Sequence, residues 1–67
     1  MTVARVTTLS VRSSTSFDDA VATGIARANK TLRGVSGAWV KEQKVEVTGG
    51  AITAWDLVLE VTFVLDD

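Results

Sequence analysis

The sequence predicts an α+β fold in which the elements follow the order β-α-β-β and a three-stranded antiparallel sheet wraps on one helix. Three observations predict it. A Val- and Thr-rich run opens the chain, a single amphipathic helical pattern follows it, and two further strand-like runs flank Gly49-Gly50. With 67 residues there is room for one hydrophobic core, so residues 1–67 are read as one domain.

The first strand is expected over residues 2–12, where Val3, Val6, Leu9 and Val11 are interspersed with Thr and Ser in loose alternation. Ser13-Ser-Thr-Ser16 breaks that pattern. Ser16 followed three residues later by Asp19 has the spacing of a capping box, so a helix should begin at about Phe17, with Asp18 and Asp19 set against its positive end. Those two acids are therefore read as cap residues. Phe17, Val21, Gly24, Ile25, Ala28 and Leu32 recur at three- and four-residue spacing and form the buried stripe, while Asp18, Lys30 and Arg33 fall away from it. Ala20, Gly24 and Ala28 are small enough to let the helix approach a sheet closely. Gly34 stands where a left-handed helix terminator belongs.

The second strand is expected over Ala38 to Thr48. Its apolar parity changes midway, from Ala38 and Val40 to Val45 and Val47, which predicts a bulge or a bend near Lys41 to Lys44. Gly49-Gly50 supplies a two-residue hairpin turn, since both glycines accept positive φ. The third strand, Ile52 to Leu65, carries the clearest pattern in the chain. Its odd positions Trp55, Leu57, Leu59, Val61, Phe63 and Leu65 are all apolar and should meet the helix; the even positions are mixed. Trp55 is accordingly a core residue. One helix cannot cover both faces of such a sheet, and Ala38, Val40, Val58 and Val64 are expected on the uncovered side. An apolar patch of that kind marks an interface, so a homo-oligomer of closed symmetry is expected.

Composition narrows the function. The chain has no Cys and no His, which removes disulfides, Cys/His zinc sites, the commonest general base and the strongest nucleophile. No catalytic residues are assigned and no enzyme activity is expected. A formal charge of −1 with scattered basic residues argues against a nucleic-acid partner. No apolar run approaches the roughly 18 residues of a membrane span, and Met1-Thr-Val-Ala-Arg-Val lacks the plan of a signal peptide, so a cytoplasmic location is expected. Gly49-Gly50 lacks the Lys and following helix of a phosphate loop.

Three segments carry a family resemblance. They are Ile25-Ala-Arg-Ala-Asn-Lys-Thr-Leu-Arg33, Val40-Lys-Glu-Gln43 and Leu59-Glu-Val-Thr-Phe-Val-Leu-Asp66. In this order and at this length the chain resembles a dodecin, and the likeness covers nearly all of it. The resemblance implies a hollow cage of twelve subunits that binds flavins, riboflavin or FMN, in stacked pairs between subunits, for storage or protection and without turnover. The implied binding positions are Trp39, Glu42, Lys44 and Asp56. Two of them depart from the family's pattern. The stacking Trp of the family falls at Gly37, two residues before Trp39, and the Gln that reads the flavin's polar edge falls at Asp56.

Residues 37 and 39 of one strand share a side and stand roughly 6.5–7 Å apart, so Trp39 faces the same space from a shifted position. It is either a platform for a planar ligand or a filler of the space Gly37 leaves at a subunit contact. Asp56 accepts hydrogen bonds but cannot donate, unlike an amide, and a mismatched buried polar group costs about 1–3 kcal/mol. Glu46, Asp56 and Glu60, repeated around a symmetry axis, would alternatively suit Mg²⁺, Ca²⁺ or Na⁺ through oxygen ligands. The expected function is thus a flavin-binding or flat-ligand-binding cage; the alternative is an assembly that has lost flavin binding and serves as a structural or cation-binding shell.

Overall fold

The computed structural model describes residues 2–65. Its elements are β1 (Ala4–Ser13), α1 (Phe17–Thr31), β2 (Val35–Thr48) and β3 (Ala51–Val64), the β-α-β-β order expected. The three strands form one antiparallel sheet in the order β1-β3-β2, so β3 is central and lies between two edge strands. Central position explains its sequence: it is the strand with neighbours on both sides, and it carries the longest apolar alternation.

α1 begins as its sequence implies. The Asp19 N–H donates to Ser16 Oγ at 3.0 Å. The second half of a capping box takes a different form here: the Asp19 carboxylate accepts from Ser13 Oγ at 2.7 Å, and Ser13 Oγ in turn accepts from the N–H groups of Thr15 at 3.0 Å and Ser16 at 3.4 Å. The buried Ser13 thus ties the end of β1 to the first turn of the helix. At the other end the helix stops at Thr31 with Leu32 already extended, φ −112° and ψ 143°. Gly34, φ +72°, is therefore not the helix cap. It lies two residues beyond the extended Leu32 and turns the chain into β2 against the backbone of Val64.

The buried core is Ala20 and Ala28 of α1 with Leu57, Leu59 and Val61 of β3, flanked by half-buried Leu9, Val11, Phe17, Val21, Ile25, Leu32 and Val35. Gly24 completes the contact: a Cβ there would stand 2.8 Å from both Leu59 Cδ1 and Val11 Cγ2. Trp55 and Phe63 are half-buried at the two ends of the helix-facing row.

β2 departs most from expectation. It starts at Val35, three residues earlier than predicted, because the irregularity between Val35 and Gly37 hides its pattern. The predicted bulge is present between Val40 and Glu42, and a further shift lies between Glu46 and Val47. Register corrects the faces: Ala38 pairs with Val61 and Val40 with Leu59, so both project to the helix side and not to the opposite one. They are exposed because α1 packs on β3 and β1 and scarcely reaches β2. Val58 and Val64 do lie on the side away from the helix, half-buried. β3 ends at Val64, and the Leu65 N–H donates to the Val3 carbonyl at 2.9 Å. Asp66, the last residue of the C-terminal motif, lies outside the described residues.

Candidate functional site

The face of the sheet turned away from the helix is built in rows, because residues directly opposed in an antiparallel sheet project to the same side. Thr8, Glu60 and Trp39 form one row across β1, β3 and β2. Ser10, Val58 and Glu42 form the next, and Arg12, Asp56 and Lys44 the third. All four positions singled out in the sequence, Trp39, Glu42, Lys44 and Asp56, therefore share this outer face. The Lys41 bulge places three residues of β2 beside two of β3, which is what brings Trp39 and Glu42 onto one side despite their odd spacing.

Lys44 and Asp56 are brought into one row with Glu42 beside them; Trp39 is not. Its row lies four β3 residues from that of Asp56, about 13 Å along the strand. Trp39 is 68% exposed. It does not fill the space beside Gly37 within its own subunit, where an added Cβ would meet nothing within 4 Å.

Arg12 is the member of the site that the sequence reading missed. Its guanidinium grips Asp56 at both oxygens, Nε to Oδ1 at 2.7 Å and Nη2 to Oδ2 at 3.1 Å, and Nη2 also reaches Glu46 Oε1 at 3.1 Å. Lys44 Nζ stands 3.6 Å from the same Glu46 oxygen. The hydrogen bond from Arg12, reinforced by its charge and that of Lys44, holds the Asp56 carboxyl below the usual carboxylate range, and Asp56 raises Arg12 in return. Asp56 is thus an engaged acceptor, not a free one, and the donors at its edge are those of Arg12. The available signal was the antiparallel pairing of β1 with β3, which sets the one outward-facing Arg of β1 opposite Asp56.

Ser10, Arg12, Glu42, Gln43, Lys44, Asp56, Leu57 and Val58 surround an open hollow of about 640 Å³ on this face. Among the described residues no group of three acidic side chains is placed to hold a metal ion, and Glu46 and Asp56 are occupied by Arg12. Trp55 lies on the opposite side of the sheet with Phe17, Val45 and Leu57, at a smaller hollow of about 170 Å³.

A small β-α-β-β subunit with a long, partly uncovered hairpin and an open polar face defines a class of subunit that completes itself by assembly. The dodecin family profile matches residues 3–66, and the chain belongs to that family. It is 32% identical to the dodecin from Streptomyces davaonensis, covering 98% of this chain and 97% of that one, with a TM-score of 0.89. A Thermus thermophilus dodecin variant is 30% identical over the whole of both chains, with a TM-score of 0.91. The dodecin from Streptomyces coelicolor is 27% identical over 98% of this chain and 94% of that one, at 0.88. No curated protein matches the chain. Dodecins are small flavin-binding cage proteins, homo-oligomers of this subunit that are generally not enzymes.

Proposed function

We propose that this chain assembles into a hollow homododecamer in the cytoplasm and holds a flavin, riboflavin or FMN, or a similar flat aromatic ligand between subunits, for storage or sequestration and without catalysis. The observation that carries the reading is Trp39, a large aromatic left 68% exposed on the outer face of a sheet, so that the subunit leaves most of it uncovered. Trp39 is the stacking surface. Glu42, Lys44 and Asp56 line the polar part of the site, with Arg12 fixing Asp56.

Titration with riboflavin and FMN tests this by quenching of tryptophan emission and of flavin fluorescence. Stacking on one aromatic ring contributes about 1–3 kcal/mol per planar base in comparable sites, so Trp39→Leu should weaken binding by roughly 5- to 150-fold. No quenching up to high-micromolar flavin overturns the reading and favours the structural or cation-binding shell. Light scattering during size exclusion tests the assembly: a mass near twelve subunits supports the cage, and that of a single subunit excludes it.

A further inference from the structure

Between the row of Trp39 and the row of Asp56 lies a row of shorter side chains, Ser10 and Val58, with Glu42 at its β2 end. Low residues beside tall ones make the hollow of about 640 Å³: Val58, on the central strand, is its apolar floor, and Arg12, Asp56 and Lys44 form one wall. Among the described residues of this face the cations are Arg12, Lys41 and Lys44, and they differ in how they are held. Lys41, turned outward beside Trp39 and Glu42 by the bulge, does not line the hollow. Lys44 reaches Glu46 over 3.6 Å on a flexible stem. Arg12 is fixed in orientation by its bonds to Asp56 Oδ1, Asp56 Oδ2 and Glu46 Oε1.

A guanidinium carries five N–H groups, and those bonds use the one on Nε and both on Nη2. The N–H groups of Nη1 have no partner among the described residues. A carboxylate has about four acceptor sites, so Asp56 keeps a second site on each oxygen after accepting from Arg12. The pair therefore offers a donor and an acceptor in one rigidly held unit, the two functions that a side-chain amide combines and that a lone carboxylate lacks. We infer that Arg12 and Asp56 jointly read the polar edge of the flat ligand: Asp56 accepts from a ring N–H, and Arg12 Nη1 donates to the ring carbonyl next to it. The ligand class so selected is a heterocycle with an unsubstituted lactam or imide edge. The inference rests on the reading of a flat ligand held between subunits and adds the edge by which it is recognised. Trp39 stands about 13 Å along the strand from the pair, so the indole and the pair that meet one ligand can belong to different subunits.

Quenching of tryptophan emission on the intact assembly compares riboflavin with three analogues: one methylated at the N–H of its imide edge, and two with sulfur, a weak acceptor, in place of one or the other flanking carbonyl oxygen. The methylated analogue should bind about tenfold more weakly than riboflavin, and at least one sulfur analogue about fivefold more weakly. Asp56→Ala should bring the methylated analogue within about twofold of riboflavin, and Arg12→Met should do the same for the sulfur analogue. Each ratio compares two ligands on one protein, so a variant's own loss of stability drops out. Lys44→Gln should leave both ratios in place, whatever it does to the affinities themselves. Equal binding of riboflavin and its methylated analogue overturns the inference, as does a sulfur discrimination that survives in Arg12→Met or disappears in Lys44→Gln. Riboflavin binding without either discrimination refutes this inference and leaves the stacking reading intact, whereas failure of all four ligands to bind overturns both.

Discussion

Gly34→Ala is a sharp test of how this subunit closes, because two independent constraints meet at one hydrogen. The backbone there has φ +72°, where an L-residue sets its Cβ against its own carbonyl at a cost of about 1–2 kcal/mol. The same Cβ would stand 2.8 Å from the carbonyl oxygen of Val64 and 3.5 Å from its nitrogen, and backbone atoms cannot rotate aside as a side chain can. Relieving that contact means displacing the Gly34 turn from β3, which endangers the bond from the Val64 N–H to the Gly34 carbonyl at 2.9 Å. Overpacking of this kind costs about 1–3 kcal/mol. Alanine returns about 0.4–1 kcal/mol by restricting the unfolded chain, which leaves a net loss of about 2–4 kcal/mol. For a domain of this size that is a fall in melting temperature of about 15–30 °C.

Thermal melts followed by circular dichroism, at matched subunit concentration because assembly couples stability to concentration, measure the effect. Gly37→Ala is the control: its φ is not positive and its Cβ would meet nothing within 4 Å, so it should melt within about 2 °C of the parent. A Gly34→Ala protein that melts with the parent, or a Gly37→Ala protein that falls as far, refutes the reasoning.

The remaining predictions concern the helix and the outer face. Gly24→Val drives a branched side chain into Leu59 and Val11 and should cost about 1–3 kcal/mol in chemical denaturation; Gly24→Ala should cost less, since helix propensity returns up to about 1 kcal/mol. Ser16→Ala should lose about 1 kcal/mol of cap energy, and Ser13→Ala about 2 kcal/mol, because it removes the bonds to the Asp19 carboxylate and the Thr15 N–H together. Equal denaturation midpoints for those two variants would contradict the relay through Ser13. Asp56 has a folded pKa below its unfolded one, so its contribution is present above the unfolded value of about 3.9 and is lost as pH falls through the folded value. Arg12→Gln should therefore raise the Asp56 midpoint in a carboxyl-carbon NMR titration and flatten the acid limb of the stability curve; an unmoved midpoint would mean that Arg12 does not hold Asp56 in solution.

Legibility in the sequence followed how local each cause is. β3 could be read almost to its ends because Leu57, Leu59 and Val61 alternate without interruption, and the hairpin because Gly49 and Gly50 take φ +60° and +80°. The Ser16–Asp19 cap is likewise a three-residue signal. β2 was half legible. Its parity change announced the bulge at Lys41, but which face Val40 takes depends on its pairing with Leu59, nineteen residues on, and no property of β2 itself specifies that. Gly34 misled because a glycine after a basic last turn fits a helix cap equally well, and its actual neighbour is Val64. The Arg12–Asp56 pair spans 44 positions and was invisible for the same reason. The candidate site was thus recoverable as a set of residue types on strands, while the rows that group them had to come from register.

The two sides of the sheet have different physical consequences. A 15-residue helix is about 22 Å long and a 14-residue strand about 46 Å, and the subunit extends 52 Å along its long axis, so α1 covers about half of the hairpin it packs on. Val40, Val45, Val47 and Ile52 remain exposed as a result, and no element among the described residues packs over them. Burying them takes another copy, as befits a family of homo-oligomers, and the apolar area involved supplies stability that a subunit this small otherwise lacks. Trp39 differs from those valines in kind. It stands in a row with Glu60 and Thr8 on the polar face, where a second apolar surface would have to desolvate Glu60 and the neighbouring Glu42 to cover it. A flat ligand can rest on the indole and leave both glutamates in water. On the proposed reading, that asymmetry gives assembly to the valines and ligand stacking to the tryptophan.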